Sequence, residues 1–201
     1  DLVDIGGPSI DTSTAFSLLA RIRTSVSPNF QQILSYDQSS SDRAWQWRLD
    51  NSSGNIELLR FNTSGQLIEI VVTSGTDVTD GAWHDVAATF STSSGTVLYI
   101  DGVSAGTSAN TTPNNTLGSG NGSLAIGARE SSGANNWASL FSGDVADVSV
   151  LTKQLDVTEI GEGRSGPELV NTVAPGVTGT HQTGQTLTCS PGTWALPTPF
   201  A

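Results

Sequence analysis

The sequence predicts an all-β protein, an antiparallel sandwich of two sheets. Apolar and polar residues alternate through most of residues 15–151, as in strands with one buried and one exposed face. Short segments rich in Gly, Asp, Asn and Ser separate these runs, as turns do. Charged residues make up 13% of the chain, against about 25% in an average globular protein. About nine or more short strands at this spacing favour a sandwich.

The first long strand shows the alternation clearly. One face of residues 16–23 carries Phe16, Leu18, Ala20 and Ile22, and the other face carries two arginines, Arg21 and Arg23. Runs of the same kind follow at 45–49, 55–61, 67–72, 83–90, 97–100, 124–128 and 145–151. Asp80-Gly81 and Asp101-Gly102 are typical of tight hairpins, because glycine adopts a positive φ without steric cost.

Helix is scarce and is expected only after the last of these strands. Asp156 is the predicted N-cap, and Glu159 completes a capping box three residues later. Gly161 and Gly163 are expected to end the helix. The composition beyond them turns to Gly, Ser and Pro, which is typical of a linker.

A second unit is expected after this linker. Residues 173–177 and 186–189 read as two further strands, and Pro191-Gly192 as a turn. Such a segment is shorter than the ~40 residues that an independent core needs. We therefore predict a complete domain at 1–163, a linker at 164–170 and a partial β unit at 171–201.

Charge excludes two classes of partner. The formal charge is −11, and the seven arginines and one lysine form no basic run. Nucleic acids and anionic membranes both require a positive surface. No apolar run approaches the ~18 residues of a membrane span, so we expect no membrane insertion. A single cysteine, Cys189, leaves no internal disulfide to predict.

Two stretches resemble the laminin-G-like, concanavalin A-like family. Residues 83–89 and 98–102 resemble its motif W-H-x-V-A-x-T followed by L-Y-x-D-G. Residues 124–127 and 141–148 resemble its later strands, and 155–160 its L-x-x-x-E-I ending. The resemblance covers about residues 1–163 in the expected order. It implies a jelly roll of two packed antiparallel sheets.

The end of the chain carries a second resemblance. Residues 171–194 resemble the first half of an Ig-like repeat of bacterial surface proteins and phage virion proteins. The family's following strands are missing here. The resemblance therefore implies the opening of a further β domain within a longer array.

Hydrolases share the jelly-roll fold, so a catalytic site is an alternative. Glycosidases need two carboxyls about 5–9.5 Å apart, and residues on one strand face share a side at i+2 and i+4. No two carboxylates in the sequence have either spacing. His84 occupies the family's W-H-x-V position, which the resemblance implies is structural. We predict that the protein is not an enzyme, with cross-strand carboxylate pairs as the remaining route to hydrolysis.

A carbohydrate site is the first binding hypothesis. Glycans stack on exposed aromatic rings beside hydrogen-bonding side chains. Trp45, Trp47 and Trp83 lie in strands, where core packing is the default. Trp137 lies in a loop, and the predicted carbohydrate-binding residues are Trp137, Asn135, Asn136 and Arg129. The alternative is that Trp137 folds back and caps the sandwich.

Calcium is the one cofactor that the family resemblance implies. This ion takes carboxylate and carbonyl oxygens from loops. Asp147 matches the aspartate of the family's last-strand motif, and Asp4 approaches it if the two ends of the domain meet. The alternative is that Asp147 only accepts hydrogen bonds inside the sandwich.

These observations predict a non-catalytic recognition or display module, and a glycan or other surface ligand is the expected partner. We expect it on a virion surface, as fibre or capsid decoration of a phage, or on a cell surface, as part of a bacterial adhesin. A second hypothesis is a purely structural module that contacts other subunits of an assembly. A third is a glycoside hydrolase of the same fold.

Overall fold

The chain divides into two compact units, Asp1–Ile160 and Gly161–Ala201. The computed structural model describes residues 2–26, 29–38, 42–116, 122–131, 136–164, 170–173, 176–178, 188–190 and 193–195. Nearly all regular structure in these residues is β, as the sequence predicts. None of the described helices is long and apolar enough to cross a membrane.

The strands and the helix follow one another along the chain as short elements. Their bounds are β1 Val3–Asp4, β2 Ala15–Arg23, β3 Gln31–Asp37, β4 Arg43–Leu49, β5 Ile56–Phe61, β6 Leu67–Val72, β7 Trp83–Ser91, β8 Gly95–Ile100, β9 Val103–Ser108, β10 Ser123–Ile126, β11 Arg129–Glu130, β12 Trp137–Ala138, β13 Asp144–Leu151, α1 Val157–Arg164, β14 Val170–Val173, β15 Gly176–Thr178, β16 Thr188–Ser190 and β17 Thr193–Ala195.

Two antiparallel sheets form the first unit. A six-stranded sheet has the order β1-β10-β3-β4-β5-β6, and a five-stranded sheet has the order β13-β2-β7-β8-β9. Strands β11 and β12 pair with each other in a separate two-stranded sheet. This is the predicted sandwich. Strands β3 to β6 and β7 to β9 are paired in chain order, and the pairs β10–β3, β13–β2 and β2–β7 join strands distant in sequence, as in a jelly roll.

The core lies between the two sheets, and alternation supplies its side chains. Phe16, Leu18, Ala20 and Ile22 are buried on one face of β2, which confirms the predicted pattern. Most of the inner face of the six-stranded sheet comes from the same pattern in β3, β4 and β5. Trp45 and Trp47 are fully buried there, as expected of strand tryptophans.

Trp83 departs from that default, and the expectation of core packing is wrong for it. Its side chain is 37% exposed. The reason is the register: Trp83 opens β7 opposite Arg23, on the outer face of the five-stranded sheet. The next residue, His84, turns inward and is buried.

A buried ion pair joins the two sheets at one end of the core. The Arg60 guanidinium is fully buried, lies 3.6 Å from the Phe90 ring centroid and donates to Glu69 Oε1 at 2.7 Å. Glu69 also accepts from the hydroxyls of Thr96 and Ser108, which belong to the opposite sheet. A buried charge is tolerated when its partners satisfy it in this way.

Helix α1 begins with the predicted capping box. Asp156 Oδ1 accepts from the backbone N–H of Thr158 and Glu159, and Glu159 Oε2 accepts from the Asp156 N–H. The expected stop at Gly161 and Gly163 is wrong, because the helix continues to Arg164. Leu155 and Ile160 pack with the outer-face residues Leu19, Ala87 and Tyr99 in a small second cluster.

In the part of the second unit that the structure describes, there are two short antiparallel pairs of strands. Strand β14 pairs with β17, and β15 pairs with β16. Its assignment to part of an Ig-like repeat stays a prediction, as do the boundaries 164–170 and 171–201.

Candidate functional site

The outer face of the six-stranded sheet concentrates hydrogen-bonding side chains. Cross-strand pairing places Gln32 beside Arg48 and Arg48 beside Glu57, and it places Ser35 beside Gln46. Cross-strand partners share one face of a sheet. We call this surface the polar face, defined by Gln32, Ser35, Asp37, Gln46, Arg48 and Glu57.

One end of the polar face contains an ion pair and an aromatic ring. Arg48 Nε donates to Glu57 Oε1 at 2.5 Å, and the two side chains are only 13% and 8% exposed. The Arg48 guanidinium lies 3.8 Å from the centroid of the Phe30 ring, which is 37% exposed. A ring held in this way offers a stacking surface next to fixed hydrogen-bonding groups.

Gln32 adds unused hydrogen-bonding capacity at the same end. Its side chain is fully buried, and neither atom of its amide has a hydrogen-bond partner among the described residues. Its backbone N–H donates to the Ser139 carbonyl, so the segment after β12 lies against this part of β3. Buried amides nearly always find partners, and the amide of Gln32 is an exception among the described residues.

A second charged cluster centres on Asp37 at the other end of the face. Asp37 is fully buried and accepts from the Gln46 amide and from Arg129 Nη1, the latter at 3.4 Å, while Arg43 Nε lies 3.3 Å from its other oxygen. Burial raises the pKa of the Asp37 carboxyl above its ordinary value, and the charges of Arg43 and Arg129 offset only part of this.

The two carboxylates of the polar face are not spaced for glycoside hydrolysis. Asp37 pairs across from Arg43, whereas Glu57 pairs across from Arg48 near the other end of β4. The strand rise of about 3.3 Å per residue therefore puts the two carboxyls more than about 10 Å apart, beyond the range of glycosidase pairs. Each carboxylate is also held by an arginine.

The predicted carbohydrate residues lie on the hairpin β11–β12. Arg129 reaches the polar face, where it holds Asp37. Trp137 is half-buried and pairs across from Glu130, so it is neither fully exposed nor part of the core. Asn136 is exposed, and its carbonyl accepts from the Ser131 N–H. Asn135 lies outside the described residues. The carbohydrate role of these residues stays a prediction.

The two predicted calcium ligands lie in different sheets. Asp4 belongs to the edge strand β1 of the six-stranded sheet, where it accepts from the Gly6 N–H. Asp147 lies in β13 of the other sheet, in the left-handed region at φ 51°, where the register shifts. It is exposed, so it does not accept hydrogen bonds inside the sandwich. Among the described residues, no group of three His, Cys, Asp or Glu side chains is arranged to hold a metal ion. Calcium at these aspartates stays a prediction.

His84 holds two turns together. Its Nδ1 lies 2.8 Å from Asp101 Oδ2, and its Nε2 lies 3.1 Å from Asp80 Oδ1. Burial alone lowers the pKa of His84, but the hydrogen bonds and charges of Asp101 and Asp80 outweigh it, so the pKa lies above its ordinary value. This arrangement agrees with the structural role that the sequence motif implies.

The comparisons with known proteins agree with this architecture. A laminin-G family model, described as the concanavalin A-like lectin/glucanases superfamily, matches residues 1–161. The chain belongs to this family. A comparison with curated protein sequences finds no match.

Solved structures show the same fold at low sequence identity. A heptameric SAP-like pentraxin from Limulus polyphemus has a TM-score of 0.59 and 16% identity, covering 98% of this chain and 95% of that one. Domain 4 of AbnA, a GH43 extracellular arabinanase from Geobacillus stearothermophilus, solved in complex with arabinotriose, has a TM-score of 0.59 and 16% identity, covering 80% and 70%. The receptor-binding domain of a botulinum neurotoxin C/D mosaic has a TM-score of 0.56 and 14% identity, covering 87% and 46%.

Part of the polar face can be recognised from the sequence. Gln46 and Arg48 alternate with Trp45 and Trp47, which indicates that they lie on the face opposite the core. Gln32 had no such signal, because a register shift follows it in β3. That the Gln32 amide lacks a hydrogen-bond partner can be seen only in the folded structure.

Proposed function

We propose that the first unit is a non-catalytic recognition module that binds a glycan on the polar face. The observation that carries this proposal is the Phe30 ring, exposed and lying on the Arg48–Glu57 ion pair. An exposed ring supplies the stacking surface for the C–H face of a sugar, and the paired charged groups supply fixed hydrogen bonds to its hydroxyls. Hairpin β11–β12 borders this surface through Arg129.

The structural neighbours support a binding role. The arabinanase domain is solved with arabinotriose, and the toxin domain is described as receptor-binding. The same two-sheet scaffold thus accompanies sugar and receptor binding in those proteins.

The wider setting we propose is a surface, either of a phage virion as fibre or capsid decoration, or of a cell as a bacterial adhesin. The formal charge of −11 disfavours nucleic acid and anionic membrane as partners. The resemblance of residues 171–194 to an Ig-like repeat supports attachment within a larger surface protein.

A glycan array tests the binding role directly. The protein is applied once with calcium and once with a chelator, which also tests the predicted ion. We expect saturable binding to at least one glycan class. The Phe30→Ala variant should weaken that binding about tenfold, because truncating an aromatic anchor typically costs 1–2 kcal/mol or more. Val103→Ala is the matched control, since Val103 is exposed at the edge of the other sheet. Binding to no glycan in either condition would remove the lectin role.

One observation favours the alternative of a structural module. The edge strand β6 exposes three apolar side chains, Leu67, Ile70 and Val72. Exposed apolar edge strands tend to pair with other chains. Sedimentation of the wild type and of an Ile70→Lys variant distinguishes the two functions: concentration-dependent assembly that the lysine abolishes, without glycan binding, would favour the structural role.

A further inference from the structure

The outer face of the five-stranded sheet exposes one large aromatic side chain beside a pocket. Trp83 is 37% exposed, whereas Trp45 and Trp47 are fully buried. An indole of this size gains considerable free energy on burial, so its exposure next to polar groups is typical of a binding position. The polar face contains none of these residues.

Arginines and aspartates fix the surroundings of the Trp83 ring. The guanidinium groups of Arg21 and Arg23 lie 5.4 and 4.9 Å from its centroid. Arg23 donates through Nε and Nη2 to Asp144 Oδ2, at 2.9 and 2.8 Å, and Arg21 Nε lies 3.9 Å from Asp85 Oδ1. Each arginine beside the ring therefore has a carboxylate partner.

A pocket of about 300 Å³ adjoins this surface. Its walls are the end of β2 with the segment after it, the Asp80-Gly81 turn and the segment before β13; the lining residues are Arg23, Thr24, Ser25, Val26, Gly81, Ser142, Gly143 and Asp144. The volume lies at the lower end of small-molecule sites. Arg23 and Asp144 belong both to the pocket wall and to the charged frame of Trp83.

Close backbone contacts hold the pocket walls in place. A Cβ on Gly143 would lie 2.2 Å from the Arg23 carbonyl oxygen, so only glycine allows this approach of the two segments. Thr24 Oγ1 donates to the Ser142 carbonyl at 2.6 Å, and the Gly81 N–H donates to the Thr24 carbonyl at 2.9 Å. The pocket is therefore preorganised, and ligand binding would not require its walls to rearrange.

We propose that Trp83 and this pocket form a second binding site, and that its ligand is a neutral saccharide. One sugar ring fits the volume, the indole supplies the apolar platform, and Arg23, Asp144 and Ser25 supply hydrogen bonds to hydroxyls. An anionic ligand is disfavoured, because Asp85 and Asp144 already neutralise both arginines. The site uses no residue of the polar face and does not rest on the function proposed there.

The test is an NMR titration of the full chain with methyl glycosides of neutral hexoses, and in parallel with glucuronate and sialyllactose. The indole Nε1–H signal of Trp83, assigned by its loss in Trp83→Phe, should shift with a neutral glycoside. The signals of the buried Trp45 and Trp47 should stay fixed. Shifts with the acidic sugars alone, or no Trp83 shift with any sugar, would overturn the proposal.

Two variants provide a second readout, so that the test does not depend on the folding of a single variant. Trp83→Ala and Asp144→Asn should each weaken neutral-sugar binding about tenfold, the size typical of a central aromatic or hydrogen-bonding anchor. Val103→Ala, at an exposed position on the edge strand β9, is the control and should leave this titration unchanged. Unaltered binding in both Trp83→Ala and Asp144→Asn would contradict the assignment.

Discussion

The outer faces of the two sheets have similar sequence patterns, but their charged side chains differ in burial. On the polar face, the ion pairs of Arg48 and of Asp37 are largely covered, and their geometry is fixed by several partners. On the five-stranded sheet, Leu155 and Ile160 cover one part of the outer face, while the ion pairs of Arg21 and Arg23 stay exposed around Trp83.

This difference shows that alternation alone does not determine whether an outward-facing side chain is buried or exposed. Alternation decides which face a residue occupies, and the segments that cross the sheet decide whether it is covered. Hairpin β11–β12 and the segment that follows it lie against β3, and α1 with its preceding segment packs on the other sheet. The same charged residue types are therefore mostly covered on one face and exposed to solvent on the other.

The largest contrast is expected between the ion pairs of the two faces. Glu57→Ala leaves the mostly buried Arg48 without its carboxylate, and should lower the free energy of unfolding by about 3 kcal/mol. Asp144→Ala removes an exposed partner and should cost about 1 kcal/mol or less. Urea unfolding of both variants measures the difference.

Glu57→Gln is the matched control for this contrast, because it keeps the shape and one hydrogen-bond acceptor. Its cost should fall between those of the two alanine variants. Equal destabilisation by Glu57→Ala and Asp144→Ala would show that the two faces do not differ in the way described.

The next effect concerns the covered part of the five-stranded sheet. Leu155→Ala should lower the free energy of unfolding by about 2–3 kcal/mol, since Leu155 is buried in the small cluster with Leu19 and Tyr99. The exposed Val157, at the start of α1, gives a control in Val157→Ala, which should change stability by about 0.5 kcal/mol or less. A Leu155→Ala cost as small as the control's would mean that this segment does not cover the sheet.

The smallest effect is a dependence of stability on pH at His84. Its pKa in the folded state lies above the ordinary value, so protonated His84 stabilises the fold fully below about pH 6.5. This contribution is lost as the pH rises through the folded pKa. The imidazole faces Asp80 and Asp101, and the carboxylate of Asp77 also acts on it.

NMR titration of the His84 ring measures this pKa. We expect a midpoint above 6.5 in the wild type and a lower one in Asp101→Asn, which keeps the shape of the side chain but removes its charge. Unfolding at several pH values should show a shallower dependence in His84→Gln. A wild-type midpoint below 6.5 would contradict the described bridge between the two turns.

Local patterns in the sequence were sufficient for the fold and for the start of α1. The period of two in β2 and β4 identified the inward residues, and Asp156 with Glu159 identified the helix cap. The same period, applied to β7, would also have placed Trp83 with Asp85 on the face opposite His84. Core packing of strand tryptophans therefore holds for Trp45 and Trp47, but not for Trp83, which the alternation places on the outer face.

The candidate site depended on contacts that no local pattern contains. Arg129 and Asp37 are distant in sequence, and only the packing of hairpin β11–β12 beside β3 brings them together. The irregular register after Gln32 likewise changes what its amide meets. Such pairings depend on the tertiary structure, so local sequence patterns predict which residues face outward but not which partners they meet.

The most direct measurement combines binding with recovery of the ligand. A glycan selected on the array is titrated into the protein by calorimetry, incubated with it, and then recovered and analysed by mass spectrometry. The proposed recognition module predicts saturable binding that Phe30→Ala weakens, with the glycan recovered intact. Cleavage of the recovered glycan, or the absence of any saturable binding with and without calcium, would contradict it.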